Sequence, residues 1–375
     1  MSVKGLVVGD LHFGIKDSKR LYDELSIVKD YIANNDLDLL LLNGDYFDCK
    51  LSLTESAAFY AVSFFHELIK LVKEKNLIFR MIQGTRSHDL NQLNMFKSYE
   101  NDLNLDFKII ETVTEEDIKG LHVLYLPEEY PENSSEYYAP YREKVYNIIF
   151  GHGTWDFVAQ PGQIEQSLKD THSAPVFIWK EWKETIPNGF ITFGHIHGRN
   201  TYGNKIFYPG SFTRWNFGER SEKGFLVFDY DLDNKTYKAE YVNNTIAPKY
   251  DVFAVKDLGL DLDTVDAGTV KDAITSYITE SDNYRIDLSG LSTDKINILK
   301  KYFMDKPNIK IEVREDKTPF LRESEQLKTF EKYHYITKKE LPINETIKRY
   351  CEEDLGVNLD IKVINEIIAE PKSEA

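Results

Sequence analysis

The chain has 375 residues, 42% hydrophobic and 29% charged, enough to bury more than one core and to build two or three domains. Its 62 acidic residues against 46 basic ones give a net charge of −16, which excludes a free-standing nucleic-acid binder with a basic footprint but not an enzyme that acts on phosphodiesters beside a partner. Two distant cysteines (Cys49 and Cys351) exclude a disulfide framework, no apolar run reaches the roughly 18 residues of a membrane helix, and the start lacks a signal-peptide cleavage pattern, so a cytoplasmic location is expected.

In chain order, "GLVVGD" (5–10) predicts a short strand ending in Gly-Asp. Residues 18–35 predict a helix with Leu21, Leu25, Val28 and Ile32 on one side. "LDLLLLNGD" (37–45) predicts a second strand, again ending in Gly-Asp. Residues 52–75 predict a second helix, with Ser52 and Glu55 spaced as a capping box. "LIFRMIQG" (77–84), "YNIIFGHG" (146–153) and "GFITFGHIHG" (189–198) are further strand candidates ending at glycine. "KIFYPGS", "GFLVFDYD" and "TYKAEYVN" predict antiparallel strands. This alternation implies an α/β (α+β) architecture, a mixed sheet or two packed sheets flanked by helices, over 1–249. Residues 250–316 read as a small α+β domain, and 317–375 as a polar helical segment with amphipathic stretches at "ELPINETIKRYCEEDLG" and "LDIKVINEIIAE".

Five short motifs stand at the ends of the apolar runs: "GDLH" (Asp10, His12), "GDYFD" (Asp45), "GTRSHD" (His88, Asp89), "GHG" (His152) and "GHIH" (His195, His197). They hold five of the nine histidines. Strand ends are where ligand sites form in open α/β sheets. Aspartate with neutral imidazole suits Mn²⁺, Fe²⁺, Zn²⁺ or a mixed pair. At two-residue spacing on an extended strand end, Asp10 and His12 can point the same way, as can His195 and His197. The ligands outnumber what one ion needs, and two divalent ions about 3.5–4 Å apart, sharing one carboxylate, would use them all. Asp48 reads as satisfying the backbone donors of its own turn, with a metal-ligand role as the alternative. His66, His122, His172 and His334 read as structural, and Trp179 and Trp182 as core, or alternatively as a contact surface for DNA or a second subunit.

The ordered set resembles the calcineurin-like metallophosphoesterase superfamily, with its D-x-H, G-D-x-x-D, G-N-H-D, G-H and G-H-x-H pattern. The stretch "YPGSFTRWNFGERSEKGFLVFDYD" (208–231) and the following small domain resemble the SbcD-type nucleases. The resemblance implies the metallophosphoesterase fold of two packed mixed sheets, a capping, DNA-binding domain at 250–316, and a C-terminal segment that docks on a coiled coil. It implies a metal-dependent DNA exonuclease and endonuclease acting in repair and recombination, with two ions, most readily Mn²⁺. The implied partners are DNA and an SbcC-like SMC-family ATPase, in a complex containing a homodimer, with no membrane, in a prokaryotic or phage-infected cell.

The first ion would take Asp10, His12 and His197, and the second His152 and His195, with Asp45 bridging. His88 would protonate the leaving oxygen, and Asp89 would orient His88. Arg86 is expected to reach a phosphate. The departure from the pattern is at Ser87, which stands immediately before His88 where the family has a metal-binding Asn, in a loop two residues longer. Ser87 then coordinates weakly, or water fills the place, or the longer loop brings in another oxygen. A small-molecule phosphodiesterase and a structural clamp subunit with a weakened metal site are the competing expectations.

Overall fold

The computed structural model describes residues 1–15, 17–89, 91–159, 176–279, 282–313, 342–354, 360–363 and 365. Two six-stranded sheets dominate it. The first takes β1 (Ser2–Val8), β2 (Leu39–Asn43), β3 (Ile78–Ile82) and β4 (Asp106–Ile110) in parallel. The second contains β5 (Thr114–Ile118), β6 (Leu121–Leu126), β7 (Ile148–His152), β10 (Phe190–Gly194), β11 (Asn200–Tyr202) and β12 (Ile206–Tyr208). Between β7 and β10 in the chain, β8 (Thr154–Trp155) and β9 (Val176–Phe177) form a short parallel pair. β13 (Gly224–Asp231) and β14 (Thr236–Asn243) return to the first sheet, giving the order β14-β13-β1-β2-β3-β4.

Both sheets are mixed, as expected. β13 runs antiparallel to β1, and β5 and β11 are antiparallel edges of a parallel centre formed by β6, β7, β10 and β12. One expected detail differs: β12 pairs parallel with β10 and antiparallel only with β11, because the tight connection at Gly203 inserts β11 as the edge strand.

The alternation along each strand divides the core into layers. On β2, Leu40 and Leu42 join the helix-covered face while Leu39 and Leu41 join the face between the sheets. On β7, Ile148 and Phe150 face that same inter-sheet layer, and Ile149 faces the outer layer with Trp155 and Trp182. Trp182 is therefore core rather than a contact surface. The first outer layer is covered by α1 (Ser18–Glu24), α2 (Ser26–Asn34) and α3 (Ser56–Lys75). The single helix expected over 18–35 is two helices meeting at Leu25, yet Leu21, Leu25, Val28 and Ile32 are all buried as their spacing requires. α3 begins at Ser56 rather than Ser52. The Glu55 carboxylate accepts from the Ser52 amide at 2.9 Å, closing a turn before the helix instead of a box inside it.

Beyond the sandwich, β15 (Tyr250–Ala254), β16 (Asn283–Asp287) and β17 (Ile309–Glu312) form a separate parallel sheet. Helices Ala267–Tyr277 and Thr293–Phe303 cover it, and it has its own apolar cluster around Val270, Ile286 and Leu299. Of the C-terminal segment, Ile343–Asp354 is helical, whereas 317–341, most of the stretch after 354, and the positions of His172 and His334 lie outside the described residues. Among the described residues, no helix is long and apolar enough to cross a membrane.

The two sheets are tied by a charge in the inter-sheet layer. Arg80, on β3 and 2% exposed, makes a bidentate pair with Glu116 on β5 at 2.7 and 2.8 Å and reaches Asp106 on β4 at 2.8 Å. Removing one partner of a buried pair leaves the other uncompensated. Arg80→Ala should therefore destabilise the protein by about 3 kcal/mol, measured as a shift in the urea midpoint, with no change in metal stoichiometry.

Candidate active site

The carboxyl ends of six parallel strands converge, three from each sheet. β1 delivers Asp10 and His12, β2 Asp45, and β3 the run from Gly84 to Asp89. β6 delivers Glu128, β7 His152, and β10 His195 and His197. A cross-sheet hydrogen bond from His152 Nδ1 to the Asn43 carbonyl, 2.9 Å, joins the two sets. It places the proton on Nδ1 and leaves Nε2 free as a ligand atom.

The backbone does unusual work here. Asp10, His12, Asp45 and His195 all have positive φ, of 50°, 54°, 49° and 88°. Non-glycine residues rarely adopt this conformation, which costs about 1–3 kcal/mol each and clusters at functional sites. Asp10 and His12 thus do not share a face through strand alternation. Left-handed turns aim them, and the chain is held parallel to 44–46 by bonds from Asp10 N to Gly44 O and His12 N to Asp45 O, both 3.0 Å. Two glycines are required by close approach. A Cβ on Gly44 would stand 2.2 Å from His152 Nδ1, and one on Gly84 would stand 2.3 Å from Asp45 Oδ1.

Three groups of ligand atoms gather, each within 4.8 Å: Asp10, His12 and His197; Asp45, His152 and His195; and His12, Asp45 and His88. His195 and His197, two residues apart, go to different groups. Asp45 Oδ2 is the shared atom, 3.3 Å from His152 Nε2, 3.0 Å from His88 Nδ1 and 3.8 Å from His12 Nε2. Its other oxygen accepts from Thr85 N at 2.6 Å. Burial pushes the Asp45 carboxyl upward, but His152, His88 and His12 outweigh it and hold the group well below the carboxylate range. His152 is raised in return, Asp45 overcoming its complete burial. His195 is lowered by burial and by His152. In the first group, Asp10 Oδ1 accepts from the His195 amide at 2.8 Å, while Asp10 Oδ2 is buried without a hydrogen-bond partner. His12 Nε2 and His197 Nε2 face each other at 2.9 Å. An orphaned carboxylate oxygen beside two convergent imidazoles fits a bound cation.

Outer partners steer these ligands. Asp48 Oδ1 lies 3.3 Å from His12 Nδ1, so it orients a ligand rather than only closing its turn. Glu219 Oε1 lies 3.9 Å from His197 Nδ1. Lys223, fully buried, binds Glu219 at 2.7 Å, the His197 carbonyl at 2.8 Å and Ser211 Oγ at 2.7 Å. The segment 208–231 is thus a brace for His197.

Two expectations for the "GTRSHD" loop need correction. Ser87 is exposed on the helical turn Arg86–Asp89, and the hydroxyl facing the second group belongs to Thr85. The reason is local: Gly84 runs directly into Thr85, and the two added residues follow that position, coiling outward with the His88 and Asp89 amides bonded to Thr85 O. Asp89 does not take the His88 ring proton. Its oxygens accept from Phe47 N at 3.1 Å and Gly84 N at 2.9 Å, and burial, then Asp45, pushes its carboxyl up to about 7. His88 instead pairs with Asp45, which raises it against the lowering effect of burial. The exposed Arg86 lays its guanidinium 4.7 Å from the Tyr130 ring. Glu128, 1% exposed, has no glycine-flanked motif; its only sequence signal is the apolar run "LHVLYL" ending at Pro127-Glu128. His122 stacks on Tyr146 and His66 lies edge-on to Tyr99, both away from the site.

A double sheet whose strand ends gather carboxylates and imidazoles into three overlapping ligand groups is the framework of a metal-dependent hydrolase. The profile of the calcineurin-like phosphoesterase family matches residues 4–199, and the chain belongs to that family. It is a metallophosphoesterase, and its ligand groups imply divalent metals. Among curated relatives, "Putative phosphoesterase 244L" of Invertebrate iridescent virus 6 is 23% identical over 242 residues, covering 61% of this chain and 76% of the relative. "Putative phosphoesterase 078R" of Invertebrate iridescent virus 3 is 22% identical over 250 residues, covering 64% and 66%. A solved phosphoesterase-like protein from Streptococcus pneumoniae TIGR4 aligns at 12% identity and TM-score 0.30, over 65% of this chain and 91% of that one.

Two outcomes follow from the outer shell. Asp89→Ala leaves two buried amides unpaired and should cost about 1–3 kcal/mol for each, read as lost thermal stability. Glu219 is held down to about 2, its burial outweighed by His197 and Lys223. A depressed carboxyl contributes stability that is complete above its ordinary value near 4.5 and disappears as pH falls toward about 2. In metal-free protein, Glu219→Gln should flatten the acid limb of the stability curve across that window.

Proposed function

We propose that the protein is a nuclease that hydrolyses DNA phosphodiester bonds with two Mn²⁺ ions, as the SbcD-like partner of an SMC-family ATPase in repair and recombination. The observation that carries this reading is the shape of the site. Asp10, His12, Asp45 and His152 are at most 2% exposed, whereas the His88, His195 and His197 side chains are 26–30% exposed. A buried floor of two carboxylates and two imidazoles under an open imidazole face suits a phosphodiester whose chain continues on both sides. The brace formed by 208–231 and the separate α+β unit after it support the same reading, since a small substrate needs neither.

Bound divalent ions would polarise the phosphoryl oxygens and supply an acidic water as nucleophile. Asp10, His12 and His197 would hold one ion and His152 and His195 the other, with Asp45 shared. His88 protonates the departing sugar oxygen, and Asp45, 3.0 Å from Nδ1, orients the ring so that Nε2 is the free acid. The net charge of −16 leaves DNA affinity to a basic partner surface. The C-terminal segment 317–375 is the element for docking on the ATPase coiled coil, with the complex built on a homodimer in the cytoplasm.

The test is Mn²⁺-dependent cleavage of single-stranded and hairpin DNA, with bis(p-nitrophenyl) phosphate as a small diester, each with and without the ATPase. DNA cleavage is expected. His88→Ala should lower it about 10²–10⁴-fold while both ions remain bound. Hydrolysis of the small diester with DNA left intact in every condition would make the protein a small-molecule phosphodiesterase. No hydrolysis of either would make it a clamp subunit.

A further inference from the structure

The second metal position lacks the family's asparagine amide, and the structure supplies an unusual set of atoms there. Thr85 Oγ1 lies 3.3 Å from Asp45 Oδ2, 3.4 Å from Glu128 Oε2, 3.4 Å from His152 Nε2 and 3.5 Å from His195 Nδ1. A hydroxyl has one proton, and its good hydrogen bonds are about 2.7–2.8 Å long. One hydroxyl proton cannot serve four neighbours that all lie beyond that distance, so hydrogen bonding alone satisfies this set poorly. Thr85 Oγ1 is near every ligand atom of the second group, as a further ligand of one ion would be; Glu128 Oε2 stands beside Thr85 and His195 but outside the set of Asp45, His152 and His195 whose ligand atoms lie within 4.8 Å of one another. Two more short distances run between these atoms: Asp45 Oδ2 to His152 Nε2 at 3.3 Å, and His195 Nδ1 to Glu128 Oε2 at 3.6 Å.

Glu128 is built into this place. Its amide donates to Gln83 O at 3.3 Å, pinning the end of β6 beside the end of β3. Tyr130 OH donates to Glu128 Oε1, leaving Oε2 to face Thr85 and His195. Arg86, from the lengthened part of the loop, covers the Tyr130 ring. Among the described residues, the ion-pair partner of this buried carboxylate is His195, and no Lys or Arg reaches it. A charged carboxylate this far out of water is stable only beside a compensating cation.

We propose that the Glu128 side chain turns inward on metal binding, so that Oε2, with Thr85 Oγ1 beside it, completes the shell of the second metal in place of the missing amide. The exchange adds a negative charge and a hard oxygen to the group of Asp45, His152 and His195, which favours Mn²⁺ or Mg²⁺ over softer ions. Arg86 and Tyr130 then act as positioning residues for Glu128.

This inference rests on the two-metal reading, so its test counts ions rather than products. Calorimetric titration of the full chain with Mn²⁺, with bound metal counted by elemental analysis, should give two sites. Glu128→Gln should weaken one of them by roughly 10–100-fold or more and leave the other unchanged. Thr85→Val, which keeps the side-chain volume, should weaken the same site by less. Thr85→Asn in the Glu128→Gln background should recover part of the loss. Two sites of unaltered affinity in both single variants would overturn the Glu128 assignment alone. A single site in the wild-type chain would overturn it together with the two-metal reading. Failure to cut DNA with two sites intact would overturn only the nuclease.

Discussion

Everything in the site refers to one atom. Asp45 Oδ2 is the point at which three imidazoles from three different strand ends meet, and its partner oxygen anchors the loop after β3 through Thr85 N. A buried carboxylate cannot remain charged without compensation. Here protonatable rings surround it, and a bound cation takes over that role. Removing this charge would leave His152 buried and unbalanced, and the two sheets would lose the centre on which they converge.

The same centre explains the strained backbone. Four ligand residues sit in left-handed conformations, and the hydrogen bonds between the β1 extension and residues 44–46 hold them there. Such strain is tolerated when packing over-determines the conformation. The flanking layers do this: apolar strands buried on both faces leave the chain no freedom until it passes the sheet edge. Metal binding to the native state alone then offsets part of the cost.

Much of this was legible in the sequence because one signal repeats. An apolar run, a glycine and a ligand recur at Asp10, Asp45, His152 and His195, and the period-two alternation of the strands is visible in "LDLLLL" and "YNIIF". What was not legible depends on atoms brought together across the fold. Thr85 and Ser87 are equally plausible hydroxyls on paper, and only the direction of the turn at Arg86–Asp89 separates them. Glu128 follows a proline rather than a glycine, and its importance comes from β6 lying beside β7 in the second sheet. Asp89 reads as a partner for its neighbour His88, but helical coiling turns adjacent side chains apart, and backbone amides of Gly84 and Phe47 claim it.

The placement of β13 sets the order in which the molecule can be completed. β1 is made long before β13, yet one of its edges pairs with residues 226–231, and His197 is braced from Lys223. During synthesis at about 5–20 residues per second, that edge stays open for on the order of 10–45 seconds after β1 emerges. An open apolar edge is a template for wrong pairing. The nascent chain therefore carries Asp10 and His12 on an unfinished sheet until β13 arrives, and a functional metal centre is among the last parts of the sandwich to form.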